Sequence, residues 1–440
     1  MNVLLIHSHD CGRYFSPYGH AVQTPHIQAF ADRSTLFRNA FSAAPTCSPS
    51  RAALLSGQWA HEVGMLGLAH RGFKLKHPER HLAHFLREHG YHTALVGIQH
   101  EFGGGEELPY SEVRPVRRVR SSEPVGDVCL KRDERVAKAA AGFLAEKRDQ
   151  PFFLSCGFFL GHRPFPSDGP ARADQILVPP GLPDTEAVRA DLAGFHNALA
   201  ALDEQVGTVL TALAQGPHKD STLVIFTIDH GIPFPRMKGK LHDSGIGVAL
   251  IVDFPDNPAR GRSFDQMVSH VDIFPTICDL ADIPVPEWVA GLSLTPLMRG
   301  EMDLLHDAVF AETNFHAARE PARCVRMNHF KLIRCFDEDF GQVPANCDDS
   351  PSKDLIFRDA GLLNEERDEV ELFDLRLDPF EGRNIARDNR FTDVRHDLER
   401  RLRGWMESTG DPLIQGPLEL PRGARVQKRR CFSHEERSFE

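Results

Sequence analysis

The feature that most constrains the fold of this chain is the alternation of short apolar runs with segments of helical periodicity. Val3–Ile6 and Thr222–Ile228 are apolar and contain β-branched residues, which is typical of buried strands in a parallel sheet. From Glu186 to about Gln215, apolar residues recur every three or four positions, which predicts a long amphipathic helix. Elements in this order predict an α/β fold, a doubly wound and mostly parallel sheet flanked by helices.

Other segments extend this pattern. Tyr91–Val96 is a further strand candidate, another strand begins at Pro151, and Lys131–Lys147 has the composition of a helix. Thr24 precedes a proline, which predicts a helix that Thr24 caps and that continues to about Arg33.

The character of the sequence changes after Gly300, where the strand candidates become shorter. We therefore predict a main α/β domain over 1–300 and a smaller α+β subdomain over 301–415, with an antiparallel sheet and a helix at about Thr392–Glu407. Residues 416–440 are rich in charge and proline without a clear period. This composition predicts an extended tail, or an arm that contacts a second copy in a homo-oligomer.

Composition excludes several classes of protein. The chain has 51 Lys and Arg against 62 Asp and Glu, a net charge of −11, which argues against binding to nucleic acid or anionic membranes. The 9 cysteines are odd in number and dispersed, which indicates free thiols in a reducing compartment. The first apolar run is too short for a signal peptide, and no run is long enough to span a membrane. We therefore predict a cytoplasmic protein.

Polar residues follow two of the predicted strands directly. His9 and Asp10 come after the first strand, and Asp229 and His230 come after Thr222–Ile228. In open α/β sheets, ligands bind beyond the carboxyl ends of the strands, so chemistry is expected where these clusters meet.

The segment Cys47–Arg51, which reads Cys-Ser-Pro-Ser-Arg and is followed by Ala-Ala-Leu-Leu-Ser-Gly, is the most specific motif of the chain. It resembles the C-x-P-x-R motif of the formylglycine-dependent sulfatases of the alkaline-phosphatase superfamily. The resemblance implies an alkaline-phosphatase-like fold and a maturase that oxidises Cys47 to formylglycine (3-oxoalanine), the nucleophile of these enzymes. Cys47 is also predicted to start a helix, where unpaired N–H groups favour a bound anion.

The resemblance also implies one divalent metal ion. His9-Asp10 occupies the position of the family's Asp-Asp pair, and Asp229-His230 fits its later Asp-Asn or Asp-His pair, so these four residues and residue 47 are the expected ligands. Carboxylates at strand ends are costly to bury unless they are paired or metal-bound, which supports the same prediction. Calcium is the family's usual ion, but the two imidazoles make manganese or magnesium, and to a lesser degree zinc, alternatives.

Further catalytic positions follow from the same resemblance. It implies that Arg51 orients the formylglycine and the metal ligands, that Lys238 contacts the sulfate and the leaving oxygen, that His162 acts as general acid, and that His100 acts as base. Ile98 departs from the family, which normally has a sulfate-binding lysine at that position.

The substrate expectation also comes from resemblance. Segments such as Phe37–Phe41 and Gly231–Pro235 are similar to the N-sulfoglucosamine sulfohydrolases and their bacterial relatives, which implies a small sulfated saccharide, either an N-sulfate or a sulfate ester. Glu312 and His316 are predicted to project toward the pocket mouth and to bind sugar hydroxyls. Additional pocket candidates are His20, His61 and His70.

Two alternatives remain open at the level of sequence. The same scaffold resembles phosphonate monoester hydrolases and phosphodiesterases, and a pocket with Ile98 in place of a lysine suits any singly charged group. If Cys47 is unmodified, the chain is instead a sulfatase-like binding protein without turnover.

Overall fold

A computed structural model describes residues 1–116 and 124–440 of the chain. Eight strands form the larger sheet, in the order β4-β3-β5-β1-β6-β7-β2-β8. Every neighbouring pair is parallel except the two that β7 makes, with β6 and β2. The strands are β1 (Asn2–Ser8), β2 (Thr35–Phe41), β3 (His92–Gly97), β4 (Glu112–Arg114), β5 (Phe152–Gly157), β6 (Thr222–Ile228), β7 (Gly247–Asp253) and β8 (Ser263–Ser269).

Helices cover both faces of this sheet, as the sequence predicts. Because side chains alternate along a strand, Leu4 and Ile6 of β1 pack on one side and Val3 and Leu5 on the other. Helices α1, α4 and α5 contribute to the first apolar core, and α2, α3 and α7 to the second. The predicted doubly wound, mostly parallel α/β fold is therefore confirmed.

The helix bounds agree with the prediction where the apolar period is long. The helices are α1 (Pro25–Ala31), α2 (Cys47–Ser56), α3 (Leu82–Glu88), α4 (Val125–Ala145), α5 (Glu186–Gln215), α6 (Asp243–Ile246), α7 (Ile273–Leu280), α8 (Thr295–Arg299), α9 (Pro351–Asp354) and α10 (Thr392–Ser408). Thr24 is the N-cap residue of α1 and Pro25 its first residue, as predicted, but the Thr24 hydroxyl makes no capping bond because it accepts a hydrogen bond from the Ser16 N–H at 3.0 Å. Within 1–116 and 124–440, no helix is both long enough and apolar enough to cross a bilayer.

The smaller sheet is antiparallel and belongs to the second half of the chain. Its order is β12-β11-β10-β9, and α10 packs against it through Leu398, Leu402 and Trp405. This arrangement agrees with the predicted antiparallel sheet and helix, while the boundaries at 300 and 415 stay predictions. The strands are β9 (Ala308–Phe315), β10 (Arg319–Met327), β11 (Phe330–Cys335) and β12 (Val370–Asp374).

Residues 416–440 lie on the surface of their own chain. Val426 and Cys431 are buried, the Gln427 N–H donates to the Ala317 carbonyl at 2.8 Å, and Lys353 Nζ donates to the Phe432 carbonyl at 2.7 Å. The segment expected to form an extended tail or arm is therefore folded back on the chain. Its contact with a second copy in a homo-oligomer stays a prediction.

Candidate active site

Two central strands of the larger sheet bring the predicted polar clusters together. β1 and β6 pair in parallel with Ser8 opposite Ile228, so the residues that follow them emerge at the same edge. The Asp10 N–H donates to Asp229 Oδ1 at 2.9 Å, which ties the two strand ends together. Cys47 is the first residue of α2 and faces this edge, with its Sγ 3.4 Å from His230 Nε2.

Four of these side chains form a group that fits a metal ion. The ligand atoms of His9, Asp10, Cys47 and Asp229 all lie within 4.8 Å of one another. His9 Nε2 is buried without a hydrogen-bond partner among the described residues, whereas His9 Nδ1 lies 2.8 Å from Asp229 Oδ2 and Asp10 Oδ1 faces only the His230 ring. Such atoms are costly to bury unless something binds them, so the donor set suits a cation. His230 borders the group, with its Nε2 3.1 Å from Asp10 Oδ1.

The protonation states also suit metal binding. Burial and the positive charge of Arg51 hold the pKa of His9 well below its usual value. Burial alone would raise the pKa of Asp229, but the neighbouring His230, His9 and Arg51 outweigh it and lower the pKa well below its usual range. A neutral imidazole and an ionised carboxylate are the forms that ligate metals.

Arg51 fixes the relative positions of β1, β6 and α2. It lies one turn after Cys47 in α2 and is buried, and its Nη2 donates to the Ser8 carbonyl at 2.9 Å and to Asp229 Oδ2 at 3.1 Å. Its Nη1 contacts His7 Nδ1 at 2.5 Å. Arg51 thereby holds the Asp229 carboxylate beside the start of α2, while its expected role in orienting the nucleophile and the metal ligands stays a prediction.

Lys238 is held between two carboxylates, one of which the sequence analysis missed. Its Nζ donates to Asp10 Oδ2 at 2.6 Å and to Asp348 Oδ2 at 2.7 Å. Burial alone would lower the pKa of Lys238, but Asp10 and Asp348 raise it well above its usual value. The sequence signal for Asp348 is weak: an acidic pair with Asp349, just before the start of α9.

His100 and His162 both lie against the His9 ring. The His100 and His9 ring centroids are 4.5 Å apart, and the ligand atoms of His100, His9 and Cys47 lie within 4.8 Å of one another. His162 lies toward Lys238, with its Nε2 4.0 Å from Asp10 Oδ2. Burial and the charge of Arg51 lower the pKa of His100, which favours the neutral form of its ring. Both histidines therefore reach the group around Cys47.

The two predicted sugar-binding residues have different positions. His316 follows β9, its Nδ1 is buried without a partner among the described residues, and burial and the charge of Lys238 lower its pKa. His316 therefore lies beside the site. Glu312 is fully buried and accepts hydrogen bonds from the His61 N–H at 3.0 Å and from His61 Nδ1 at 2.8 Å.

The position of Glu312 corrects the expectation that it lies at the pocket mouth. β9 and β10 pair with Glu312 opposite Arg323, whose Nη2 is 3.6 Å from Glu312 Oε2. Burial alone would raise the pKa of Glu312, but His61 and Arg323 outweigh it and lower the pKa to about 2. Glu312 and His61 therefore belong to an internal charge network. Of the other candidates, His70 is exposed near His162, and His20 stacks on Tyr14 at 4.0 Å.

A separate cavity of about 610 Å³ lies between the two sheets. Among the described residues, those that line it include His20, Lys240, Glu320 and Arg367. Cys47 and the other members of the group that fits a metal ion do not line it. Most of its charged lining is already paired, for example Lys240 and Arg367 with Glu320. The predicted nucleophile and metal ligands therefore lie at the strand ends, outside this cavity.

Comparisons with known proteins agree with this arrangement. Residues 1–283 match the family model described as Sulfatase, and residues 236–344 match the one described as N-sulphoglucosamine sulphohydrolase, C-terminal. The N-sulphoglucosamine sulphohydrolase of Homo sapiens is 32% identical to this chain over an alignment 470 residues long, gaps included. The alignment covers 94% of this chain and 92% of that protein.

Solved structures share the fold over nearly the whole chain. A 2-O GAG sulfatase superposes with a TM-score of 0.75 at 23% identity, over 99% of this chain and 98% of its own. The phosphonate monoester hydrolase of Agrobacterium radiobacter superposes with a TM-score of 0.69 at 22% identity, over 97% of this chain and 99% of its own. The predicted resemblance and fold class are confirmed.

Proposed function

The chain belongs to the sulfatase family, and from this premise we propose that it hydrolyses the N-sulfate or a sulfate ester of a small sugar. The observation that carries the proposal is the group formed by His9, Asp10 and Asp229 in front of Cys47 at the start of α2. The similarity of the chain to the human N-sulphoglucosamine sulphohydrolase supports an N-sulfated glucosamine as the first substrate to test.

We propose that Cys47 is converted to formylglycine by a maturase that recognises the segment Cys47–Arg51. Burial and the nearby charge of Asp229 raise the pKa of the Cys47 thiol well above its usual value, so an unmodified Cys47 is a poor nucleophile. When hydrated, the modified residue supplies a hydroxyl nucleophile to the sulfur atom. The N-terminal N–H groups of α2 favour the negative charge of the sulfate at the same place.

A divalent ion would be held by His9, Asp10, Asp229 and residue 47, with His230 beside them. When bound, it withdraws charge from the sulfate oxygens as a Lewis acid. Calcium is the ion that the family resemblance implies. Because the buried imidazole of His9 departs from the all-oxygen ligand set that calcium prefers, manganese or magnesium, and to a lesser degree zinc, are the alternatives.

The remaining side chains would bind the sulfate and move protons. Lys238, ionised between two carboxylates, neutralises a sulfate oxygen and the developing charge on the leaving atom. His162, on the same side, donates a proton to the leaving nitrogen or oxygen, and His100, on the side of Cys47, accepts the proton from residue 47. Arg51 keeps Asp229 in position throughout.

We propose a cytoplasmic location. All nine cysteines are free thiols and eight of them are buried, and the lack of any disulfide among them favours a reducing compartment. Cell fractionation with an antibody against the native protein tests this proposal, and recovery in an oxidising compartment would contradict it.

The test of the proposed activity uses protein that has been co-expressed with a maturase. Intact mass reports conversion of Cys47, which exchanges one sulfur and two hydrogens for one oxygen. Release of sulfate is then measured from glucosamine N-sulfate and an aryl sulfate, and turnover of an aryl phosphonate monoester is measured in parallel. Sulfate release by the converted protein supports the proposal. Preferential turnover of the phosphonate points to a phosphonate monoester hydrolase, and an unshifted mass without turnover points to a binding protein.

A further inference from the structure

The guanidinium of Arg71 forms no ion pair with any carboxylate of the described residues. Its Nε is buried without a hydrogen-bond partner, and its Nη1 and Nη2 reach only the carbonyls of Ala317 and His434, each at 3.5 Å. These distances are longer than those of normal N–H···O bonds. By contrast, Arg163 is held by both oxygens of Asp191, at 2.5 and 2.9 Å. Arg71 therefore has unused capacity for a planar anion.

The chain segment that carries Arg71 is tethered beside the candidate nucleophile. Ala69, two residues earlier, donates its N–H to Ser48 Oγ at 3.0 Å, and Ser48 directly follows Cys47. On its other side, Arg71 contacts Ala317, which directly follows His316. Arg71 thus lies between two parts of the candidate active site, and its side chain is only partly buried.

The C-terminal tail holds Arg71 in this place and links it to Lys238. The Arg425 N–H donates to the Arg71 carbonyl at 2.8 Å, and the next residue, Gly72, lets the tail approach because a Cβ there would lie 2.5 Å from the Gly423 carbonyl oxygen. In the tail, Ser433 donates to Asp349, the neighbour of the Asp348 that binds Lys238. The tail is therefore part of the wall around the site.

The charge around Arg71 favours an anionic ligand. Exposed His70 and His434 flank it, and the charge of Arg71 acts on both His70 and His316. Asp349, an acidic residue of the same wall that lies 3.8 Å from His434 Nδ1, is already paired with Lys353 Nζ at 2.8 Å. A chain with a net charge of −11 thus presents a local, uncompensated guanidinium beside its candidate active site.

We propose that Arg71 binds a second anionic group of the substrate, a carboxylate or another sulfate, so that the enzyme selects acidic saccharides. This inference rests on the proposed function, in which the sulfate to be removed is bound by Lys238. Lys238 is buried between Asp10 and Asp348, whereas Arg71 lies in the partly exposed wall. The two cations would therefore bind different anionic groups of one sugar.

The experiment compares kcat/KM for three substrates that share one N-sulfate: glucosamine N-sulfate, its 6-O-sulfated form, and N-sulfoglucosamine linked to a hexuronate. Wild type is expected to prefer at least one of the two acidic substrates over the first by about 10-fold or more. In Arg71→Ala, that preference ratio should fall by about 10-fold or more, mainly through KM, and Arg71→Lys should keep part of it. If Arg71→Ala loses the preference for the 6-O-sulfated substrate, the group that Arg71 binds is a sulfate. If it loses the preference for the hexuronate-linked substrate, that group is a carboxylate.

The matched control is Arg403→Ala, an exposed arginine of α10 whose side chain is 77% exposed and which should keep the wild-type ratio. Circular dichroism and thermal unfolding report whether each variant is folded. If Arg71→Ala does not fold, the preference ratio of Arg71→Lys is compared with that of wild type instead. A wild type without preference, or an Arg71 variant that loses activity equally on all three substrates, overturns the inference. If wild type releases sulfate from none of them, the proposed function fails instead.

Discussion

Asp348 accepts a hydrogen bond from Lys238 Nζ at 2.7 Å, although 110 residues separate them in the chain. Lys238 follows β6 of the larger sheet, whereas Asp348 lies in the connection between β11 and β12 of the smaller one. The part of the chain that forms the smaller sheet therefore completes the candidate site instead of only supporting it. Without Asp348, the ammonium of Lys238 would have Asp10 as its only described carboxylate partner, and Asp10 is also a proposed metal ligand.

We predict that Asp348→Asn lowers kcat/KM for sulfate release by about 10- to 100-fold. The neutral amide leaves a buried ammonium with half of its compensating charge, and Lys238 is expected to move toward Asp10. The matched control is Asp265→Asn, which removes one carboxylate from an exposed pair with Arg38. Equal activity of the two variants in steady-state assays would contradict the prediction.

The part of the site that the sequence predicts is the part fixed by parallel strands. Because β1 and β6 end at the same edge, the polar residues after them must meet, and the motif at Cys47 adds a helix start facing that edge. The long helix α5 is equally predictable, since its apolar residues keep one period from Glu186 to Gln215.

The parts that the sequence does not predict depend on distant pairing. β2, β4, β7 and β8 were not predicted. In β2, exposed residues such as Arg38 interrupt the apolar pattern, and nothing local shows that β7 runs antiparallel to both neighbours. Likewise, the burial of Glu312 depends on Arg323 across β10, and the role of Asp348 depends on Lys238. Such contacts follow from tertiary packing and leave little local signal.

Replacement of Cys47 by Ala should abolish sulfate release while the fold is retained. Removing a catalytic nucleophile typically lowers kcat by on the order of 10⁴-fold or more. The measurement is kcat for matured wild type and Cys47→Ala under the same conditions, with circular dichroism as the control for folding. Substantial turnover by Cys47→Ala would contradict the assignment of residue 47 as nucleophile.

We expect His9→Asp to shift the preference of the site toward calcium. His9 contributes a fully buried imidazole to the group, and an aspartate there would give three carboxylates, the oxygen-rich environment that calcium prefers. After chelation, ions are added back singly, and binding is followed by calorimetry and by the rise in the thermal midpoint. The ratio of calcium to manganese affinity should increase by about 10-fold. The control is His77→Asp at an exposed position, and an unchanged ratio in His9→Asp would contradict the ligand assignment.

Glu312→Gln should affect stability more than substrate binding. The substitution removes the carboxylate partner of the His61 ring and the second negative charge beside the buried Arg323, which Asp411 continues to pair with. We expect it to lower the free energy of unfolding by about 3 kcal/mol. Urea unfolding measures this loss, and Glu301→Gln, at an exposed position, is the control. A large increase in KM without loss of stability would instead favour the original prediction that Glu312 binds the sugar.

The last prediction concerns the stability of the fold in weak acid. Burial, together with the nearby charge of His84, lowers the pKa of His81 from 6.5 to about 3 in the folded protein. Between these values the unfolded chain binds a proton that the folded protein does not, so the free energy of unfolding falls as the pH decreases. The fall from this one group is at most about 1.4 kcal/mol per pH unit.

Asparagine at position 81 would remove this titration and keep the helix cap. The His81 Nδ1 accepts the Ala83 N–H at 3.1 Å at the start of α3, and an asparagine oxygen is able to accept the same bond. His81→Asn should therefore lose stability less steeply than wild type in urea unfolding at pH 7, 6 and 5. The variant will still lose some stability in acid, because burial also lowers the pKa of His196, His242 and His270. Identical slopes for the two proteins would show that His81 is protonated in the folded state as readily as in the unfolded chain.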